Sequence, residues 1–302
     1  MTEAARGHLA MLLFSALVAG SFSLGGLVAN EIAPAAITAV RFALAAAIMG
    51  AVVWATGKAE RRALAAPWRY LFMGALFATY FVLMFEGLKT APPVSAAAVF
   101  TLTPLMAAGL GWLILRQVTT PRMALALAIG AAGALWVIFR ADWQAFLAFR
   151  VGEGEIIYFW GCIAHAAYTP LLRRLNRGES PAVFTLGVLV AGAAALFLWG
   201  WPEIRATDWA ALPAVVWVAI LYLAVFASAA TFVLLQYATL RLPSAKVMAY
   251  TYLTPSWVLV WELALGKGAP RPLVLAGLGL TVVALLLLLK DEDAPRPVAS
   301  QS

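Results

Sequence analysis

Charge is what this sequence has least of. Only 12% of its 302 residues are Asp, Glu, Lys or Arg, while 64% are hydrophobic. A soluble domain carries about 25% charged residues, so a water-soluble globule is excluded. A single cysteine, Cys162, rules out an intramolecular disulfide. There are two histidines, His8 and His165, and no paired carboxylates inside an apolar stretch. A catalytic centre needs a nucleophile and a base held together. No catalytic residue, no metal ligand and no cofactor is therefore assigned. No GxxxxGK[ST] phosphate loop is present and no polar stretch could fold into a nucleotide-binding domain, which excludes ATP-driven pumping by this chain.

What the sequence has is long apolar runs. A helical crossing needs about 20 mostly apolar residues, and ten segments qualify: 8–29, 35–56, 68–88, 93–115, 122–139, 154–175, 181–200, 212–239, 244–265 and 271–290. Barrel strands alternate apolar with polar over about ten residues, and these runs do not. The expectation is an all-α integral membrane protein forming one membrane domain over 1–302. The first segment exceeds the 7–15 residues of a signal-peptide core and is read as a retained span. The polar tail, 293–302 with the acidic run before it, is expected to be disordered.

The net charge of +7 does not point to nucleic acid. With the N-terminus inside, 14 of the 21 Lys and Arg fall on the cytoplasmic side, among them Lys58, Arg61, Arg62, Arg69, Arg173, Arg174 and Arg177. Six fall outside and Arg41 lies within a span. The positive-inside rule then puts both termini in the cytoplasm.

The chain is also written twice. At an offset of 151, Phe81–Pro121 overlays Phe232–Pro272 without a gap, matching Phe81/Phe232, Pro92/Pro243, Leu102/Leu253, Thr103/Thr254, Pro104/Pro255 and Pro121/Pro272. At an offset of 147, Gly7 falls on Gly154 and Pro34 on Pro181. Repeat 1 covers 1–145 and repeat 2 covers 146–292. Five spans per repeat is an odd number, so the second repeat enters the membrane upside down. Inverted repeats are a transporter design, because one scaffold can exchange inside for outside access. Pro104 and Pro255 fall near the middle of their spans, where proline removes a helix hydrogen bond and releases the carbonyl four residues back, here Phe100 and Thr251. Two readings stand: bent helices that line a site and flex on gating, or kinks capped by Thr103, Thr254 or neighbouring helices.

These features resemble the drug/metabolite transporter superfamily, in its ten-span branch of two EamA-like repeats. The resemblance rests on Ala19-Gly20-Ser21-Phe22, Arg41-Phe42, Leu102-Thr103-Pro104-Leu105, Ala166-Ala167-Tyr168 with Arg173-Arg174, Leu242-Pro243-Ser244-Ala245-Lys246 and Leu253-Thr254-Pro255. It covers nearly the whole chain and is most similar to bacterial aromatic amino acid exporters. It implies a basket of spans 1–4 and 6–9 around a central cavity, with spans 5 and 10 outside. It also implies a bacterial inner membrane. One departure is Arg116-Gln117-Val118, where the family often has Gly-Glu-Arg after span 4.

Polar and ionisable groups inside spans are functional by default. Tyr158, Cys162, His165 and Thr169 share one helical face, either as a cavity wall or with His165 satisfied by a backbone carbonyl. Candidate substrate contacts are Tyr80 and Met84 on span 3, Phe100 and Thr103 on span 4, and His165 and Tyr168 on span 6. Gln236 on span 8 and Tyr250, Thr254 and Trp257 on span 9 complete the set. Pro104 and Pro255 are gating or structural, and so are Arg41 and Glu86, read as an ion pair joining spans 2 and 3. No titratable group other than His165 lies at mid-span, so flux is expected to be facilitated or weakly coupled. The function expected is export of small organic solutes, amino acids including aromatic ones, by alternating access. The alternatives are a proton-coupled exporter of drugs or other metabolites, and a passive channel. The expected partners are a small-molecule substrate and the lipid bilayer, with no nucleic acid and no obligate protein partner.

Overall fold

Proline and hydroxyl side chains set where the helices start. Five of the ten spans begin at a proline: Pro34, Pro93, Pro121, Pro181 and Pro272. There the fixed φ suits the first turn and the missing N–H would have had no partner. Thr2, Thr120 and Ser180 cap three spans, accepting backbone N–H bonds at 3.2, 3.1 and 3.4 Å. A computed structural model describes residues 2–57, 61–268 and 270–289. Lys58 and the polar tail beyond residue 289 lie outside the described residues.

The spans are numbered in chain order. Span 1 is Glu3–Val28, span 2 Pro34–Ala55, span 3 Trp68–Leu88, span 4 Pro93–Leu115 and span 5 Pro121–Ile138. Span 6 is Glu153–Leu175, span 7 Pro181–Trp199, span 8 Ala214–Thr239, span 9 runs over 244–264 and span 10 is Pro272–Leu289. Eight are long and apolar enough to cross a membrane by themselves. Span 6 has 23 residues, about 34 Å of helix. Its acids, Glu153 and Glu155, sit in the first turn and its bases, Arg173 and Arg174, in the last, where each suits the helix dipole.

Span 9 is discontinuous, and so is its repeat mate, span 4. Span 4 consists of Pro93–Phe100 and Thr103–Leu115, with a turn at Thr101 and Leu102. Span 9 consists of Ser244–Ala249, a 3-10 turn at Tyr250–Leu253, and Thr254–Ala264. Pro104 and Pro255 each lie in the first turn of the second segment, where the absent N–H breaks no hydrogen bond. The released carbonyls are taken up locally. That of Phe100 accepts the Thr103 hydroxyl at 2.7 Å, and that of Thr251 accepts the Thr254 N–H. Span 8 is a third irregular helix: Ala214–Ala224, then a π-helical turn at Val225–Ala230, then Thr231–Thr239. The matching stretch of span 3 is regular.

Packing follows the duplication. Span 3 packs on spans 6 and 7, and its mate, span 8, packs on spans 1 and 2. Span 4 packs on span 6, as span 9 does on span 1, and spans 2 and 7 pair with each other. The first half of span 4 meets the second half of span 9, and the reverse also holds. Every one of these contacts survives exchange of the two repeats, as two inverted copies require. Spans 5 and 10 pair outside the ring, where a Cβ on Gly133 would lie 2.7 Å from the Gly277 carbonyl and one on Gly277 2.8 Å from that of Gly133. Only glycine allows this approach. Ten crossings return residue 289 to the end that carries residue 3. That is the terminal end, and the opposite one is the far end.

Candidate functional site

Spans 3, 4, 6 and 8 turn aromatic and polar side chains into the middle of the ring. The Tyr80 ring lies 4.5 Å from that of His165 and 4.6 Å from that of Phe81, and Phe100 lies 4.9 Å from His165. Phe77 joins them, 4.0 Å from Tyr168 and 4.3 Å from Phe232. Phe81 and Phe232 are repeat mates, and their rings lie parallel, 7° and 6.0 Å apart. Phe42 stands edge-on to both. Such stacked and edge-on pairs suit the ring quadrupole. All these rings are buried, and so is Met84.

Hydroxyls and amides thread the cluster. The Tyr80 and Tyr158 hydroxyls are 3.0 Å apart, and Gln236 Nε2 donates to the Tyr168 hydroxyl at 2.9 Å. Thr103 and Thr251 hydroxyls meet at 3.2 Å where spans 4 and 9 cross. The Thr103 proton goes to the Phe100 carbonyl, so Thr251 is the donor between them. Several buried polar atoms have no partner: His165 Nδ1, Gln236 Oε1, Thr254 Oγ1 and Arg41 Nη1. An unsatisfied buried group costs about 1–3 kcal/mol. The centre is therefore filled by its own rings while keeping donors and acceptors that a solute can use.

Of the sequence candidates, Tyr80, Phe100, Thr103, His165, Tyr168 and Gln236 come together here. Thr254 is buried just past the span 9 turn. Tyr250 lies toward the terminal end, its hydroxyl 3.0 Å from His8 Nδ1. Trp257 does not join them. It is 37% exposed and lies on the outward face with Val260 and Leu263, because the 3-10 turn before it resets the helical phase of span 9.

Arg41 and Glu86 are not partners. Glu86 is half-exposed two residues before the end of span 3 and pairs with Lys89 at 2.7 Å. Arg41 is fully buried and turns to span 8 instead. Its Nε and Nη2 donate to Ser228 Oγ at 3.0 and 2.9 Å, and Nη2 also donates to the Ala227 carbonyl at 2.9 Å. Its guanidinium carbon lies 3.9 Å from the centre of the Phe81 ring. Both acceptors belong to the π-helical turn. Among the described residues the ion pair with both side chains buried is Arg69 at the start of span 3 with Glu179 in the loop before span 7, at 2.6 Å. Nothing in the hydropathy pattern distinguishes Arg69 from an ordinary interfacial arginine. Phe77 was legible in principle, since it shares a helical face with Tyr80, Phe81 and Met84.

Two cavities open at the far end. One of about 720 Å³ is framed by the starts of spans 4, 6 and 10 and the loop after span 5, with Ser95, Arg140, Asp142, Arg150, Glu155 and Arg271 on its walls. Ser95 donates to Glu155 at 2.7 Å. A second, of about 430 Å³, lies between the loop 31–33 and residues 203–213.

The model of the EamA-like transporter family matches residues 5–139 and again 152–290. The chain is 26% identical over 262 residues to the uncharacterized transporter YyaM of Bacillus subtilis strain 168, an alignment covering 86% of each. A solved structure, described only as the crystal structure of a protein, superposes with a TM-score of 0.70 at 21% identity, over 95% of this chain and 96% of that one. At that identity the likeness concerns the fold alone.

Proposed function

Because the chain belongs to the EamA-like transporter family, we propose that this multi-pass membrane transporter exports small organic solutes, amino acids including aromatic ones among them. It works by alternating access in a bacterial inner membrane, with both termini cytoplasmic. The observation that supports this reading is the buried aromatic cluster that spans 3, 4, 6 and 8 turn into the middle of the ring, with His165 Nδ1 and Gln236 Oε1 unpaired inside it. A flat ring stacks on such a surface, and the free polar atoms suit the polar groups beside it. Tyr80, Met84, Phe100, Thr103, His165, Tyr168 and Gln236 are the contacts proposed, with Tyr250 and Thr254 toward the terminal end and Pro104 and Pro255 holding the bends.

Flux is facilitated or weakly coupled. Proton coupling is the second reading, favoured by His165 alone, a titratable ring at mid-membrane. Purified protein in liposomes loaded with a panel of amino acids and drugs, with efflux measured at zero and at imposed pH gradients, tests both. Saturable efflux and counterflow of aromatic amino acids without a gradient is the expected result. Efflux that strictly requires the gradient would select the proton-coupled reading, and unsaturable flux would mean a channel.

A further inference from the structure

Arg41 is a fully buried charge whose contacts are all neutral. The Ser228 hydroxyl, the Ala227 carbonyl and the face of Phe81 account for them, and Nη1 has none. Among the described residues it forms no ion pair. A buried charge is ordinarily balanced by an opposite one, and the free Nη1 can donate a charge-assisted hydrogen bond to a carboxylate oxygen.

Its surroundings fit such a guest. The π-helical turn of span 8 holds Nε and Nη2, so the guanidinium is fixed and Nη1 is left over; π turns inside α-helices are often found at functional sites. Phe81, under the guanidinium, continues ring by ring through Tyr80 to His165. One unbroken aromatic surface thus runs from a free cationic donor to a free imidazole nitrogen.

We infer that Arg41 anchors the carboxylate of the transported solute, whose apolar or aromatic body packs on the Phe81–Tyr80 surface. The inference deepens the carrier reading and rests on it. The substrates it selects are small organic carboxylates, zwitterionic amino acids included. Amides and amines of the same shape are disfavoured.

The test uses the full-length protein in liposomes with three probes of one shape: phenylalanine, phenylalaninamide and 3-phenylpropionate. The wild type should move the two carboxylates at least about tenfold faster than the amide, the discrimination expected of one hydrogen bond to a charged group. In Arg41→Gln that preference should collapse while amide counterflow persists. Arg41→Lys keeps the charge without the planar group that span 8 holds in place and should fall between. Ser228→Ala supplies the control against a purely structural role. Because Ser228 holds the guanidinium, an anchor predicts that its KM for the carboxylates rises while amide counterflow persists, whereas a lock between spans 2 and 8 predicts loss of all transport. Equal loss of all three probes in Arg41→Gln together with lost transport in Ser228→Ala would overturn the inference. So would a wild type that carries the amide as well as the acid. Transport of 3-phenylpropionate without phenylalanine would refute the amino acid assignment and leave the anchor standing.

Discussion

At the terminal end, the corner where the loop before span 7 meets the start of span 3 is sealed. Arg69 and Glu179 pair there at 2.6 Å with both side chains buried, and Arg69 also donates to the Leu175 carbonyl at 2.6 Å. Repeat symmetry carries this corner to the far end, where the loop before span 2 meets the start of span 8. That place holds the cavity of about 430 Å³. Span 8 begins with Ala214 and Val215 and brings no cation, and Ile32 stands where the loop's Glu179 would fall. More contacts gather at the terminal end: Glu3 with Arg241 at 2.6 Å, His8 with Tyr250, and Gln117 with the Ser244 N–H at 3.3 Å. The far end has the larger cavity as well. Two copies of one backbone plan thus differ in closure because side chains, and not helices, supply the seal. The alternating access proposed above asks for such an asymmetry, since only one end should be latched at a time.

Removing the seal should have the largest effect. Glu179→Gln leaves the Arg69 charge buried without a counter-charge, which typically costs about 3–5 kcal/mol. A clear drop in the thermal midpoint of the purified protein is expected, and an unchanged midpoint would mean the corner is solvated. The same pair gives a pH signature. Burial alone would raise the Glu179 pKa, but the hydrogen bonds from Arg69 and the Arg177 N–H, with the Arg69 charge, hold it below 4.5. Its stabilisation is therefore complete above that value and is lost as pH falls through the lower folded-state pKa. Glu179→Gln should be flatter than wild type in this acid range.

Among the described residues no ion pair joins two spans at the far end, where backbone contact contributes, and two matched glycines test this. Gly154 crosses Gly87 of span 3 so closely that an added Cβ would meet the Gly87 carbonyl, and it would stand 2.7 Å from the Ala91 nitrogen. Its repeat mate, Gly7, faces the Leu242 side chain, 3.2 Å from the same probe position. Backbone cannot move aside, whereas a leucine can change rotamer. Gly154→Ala should cost about 3 kcal/mol by overpacking and Gly7→Ala less than about 1. Similar midpoints for the two variants would refute the contrast.

The sequence carried the frame further than the chemistry. Span limits, the duplication and the breaks in spans 4 and 9 were legible because proline, apolar length and repeat spacing act through the backbone. The partners of Arg41 were not. Hydropathy places Arg41 and Glu86 on neighbouring spans, but Glu86 lies near a span end with Lys89 three residues away, while the Arg41 side chain reaches across to span 8. The π-helical turn that receives it has no residue signature in Val225–Ala230. Trp257 was misplaced for a related reason: a straight helix through span 9 would turn it inward, and the 3-10 turn rotates it out.

The smallest effect expected comes from the turns that follow spans 4 and 9. After span 9 the chain turns at Gly266 and Gly268, with φ of 73° and 80°, and a Cβ at either would meet nothing within 4 Å. After span 4 the turn is made by Arg116 at φ 55°, a conformation that disfavours any residue with a Cβ by about 1–2 kcal/mol. Arg116 brings Gln117 round to the Ser244 N–H at the start of span 9. Two substitutions in this turn should therefore have opposite signs. Gln117→Ala removes one neutral hydrogen bond and should lower stability by about 1 kcal/mol, whereas Arg116→Gly should raise it by up to about 1 by relieving the left-handed backbone. If both variants fall, the strained arginine contributes more to the terminal-end closure than its backbone costs, and the two turns are not equivalent parts.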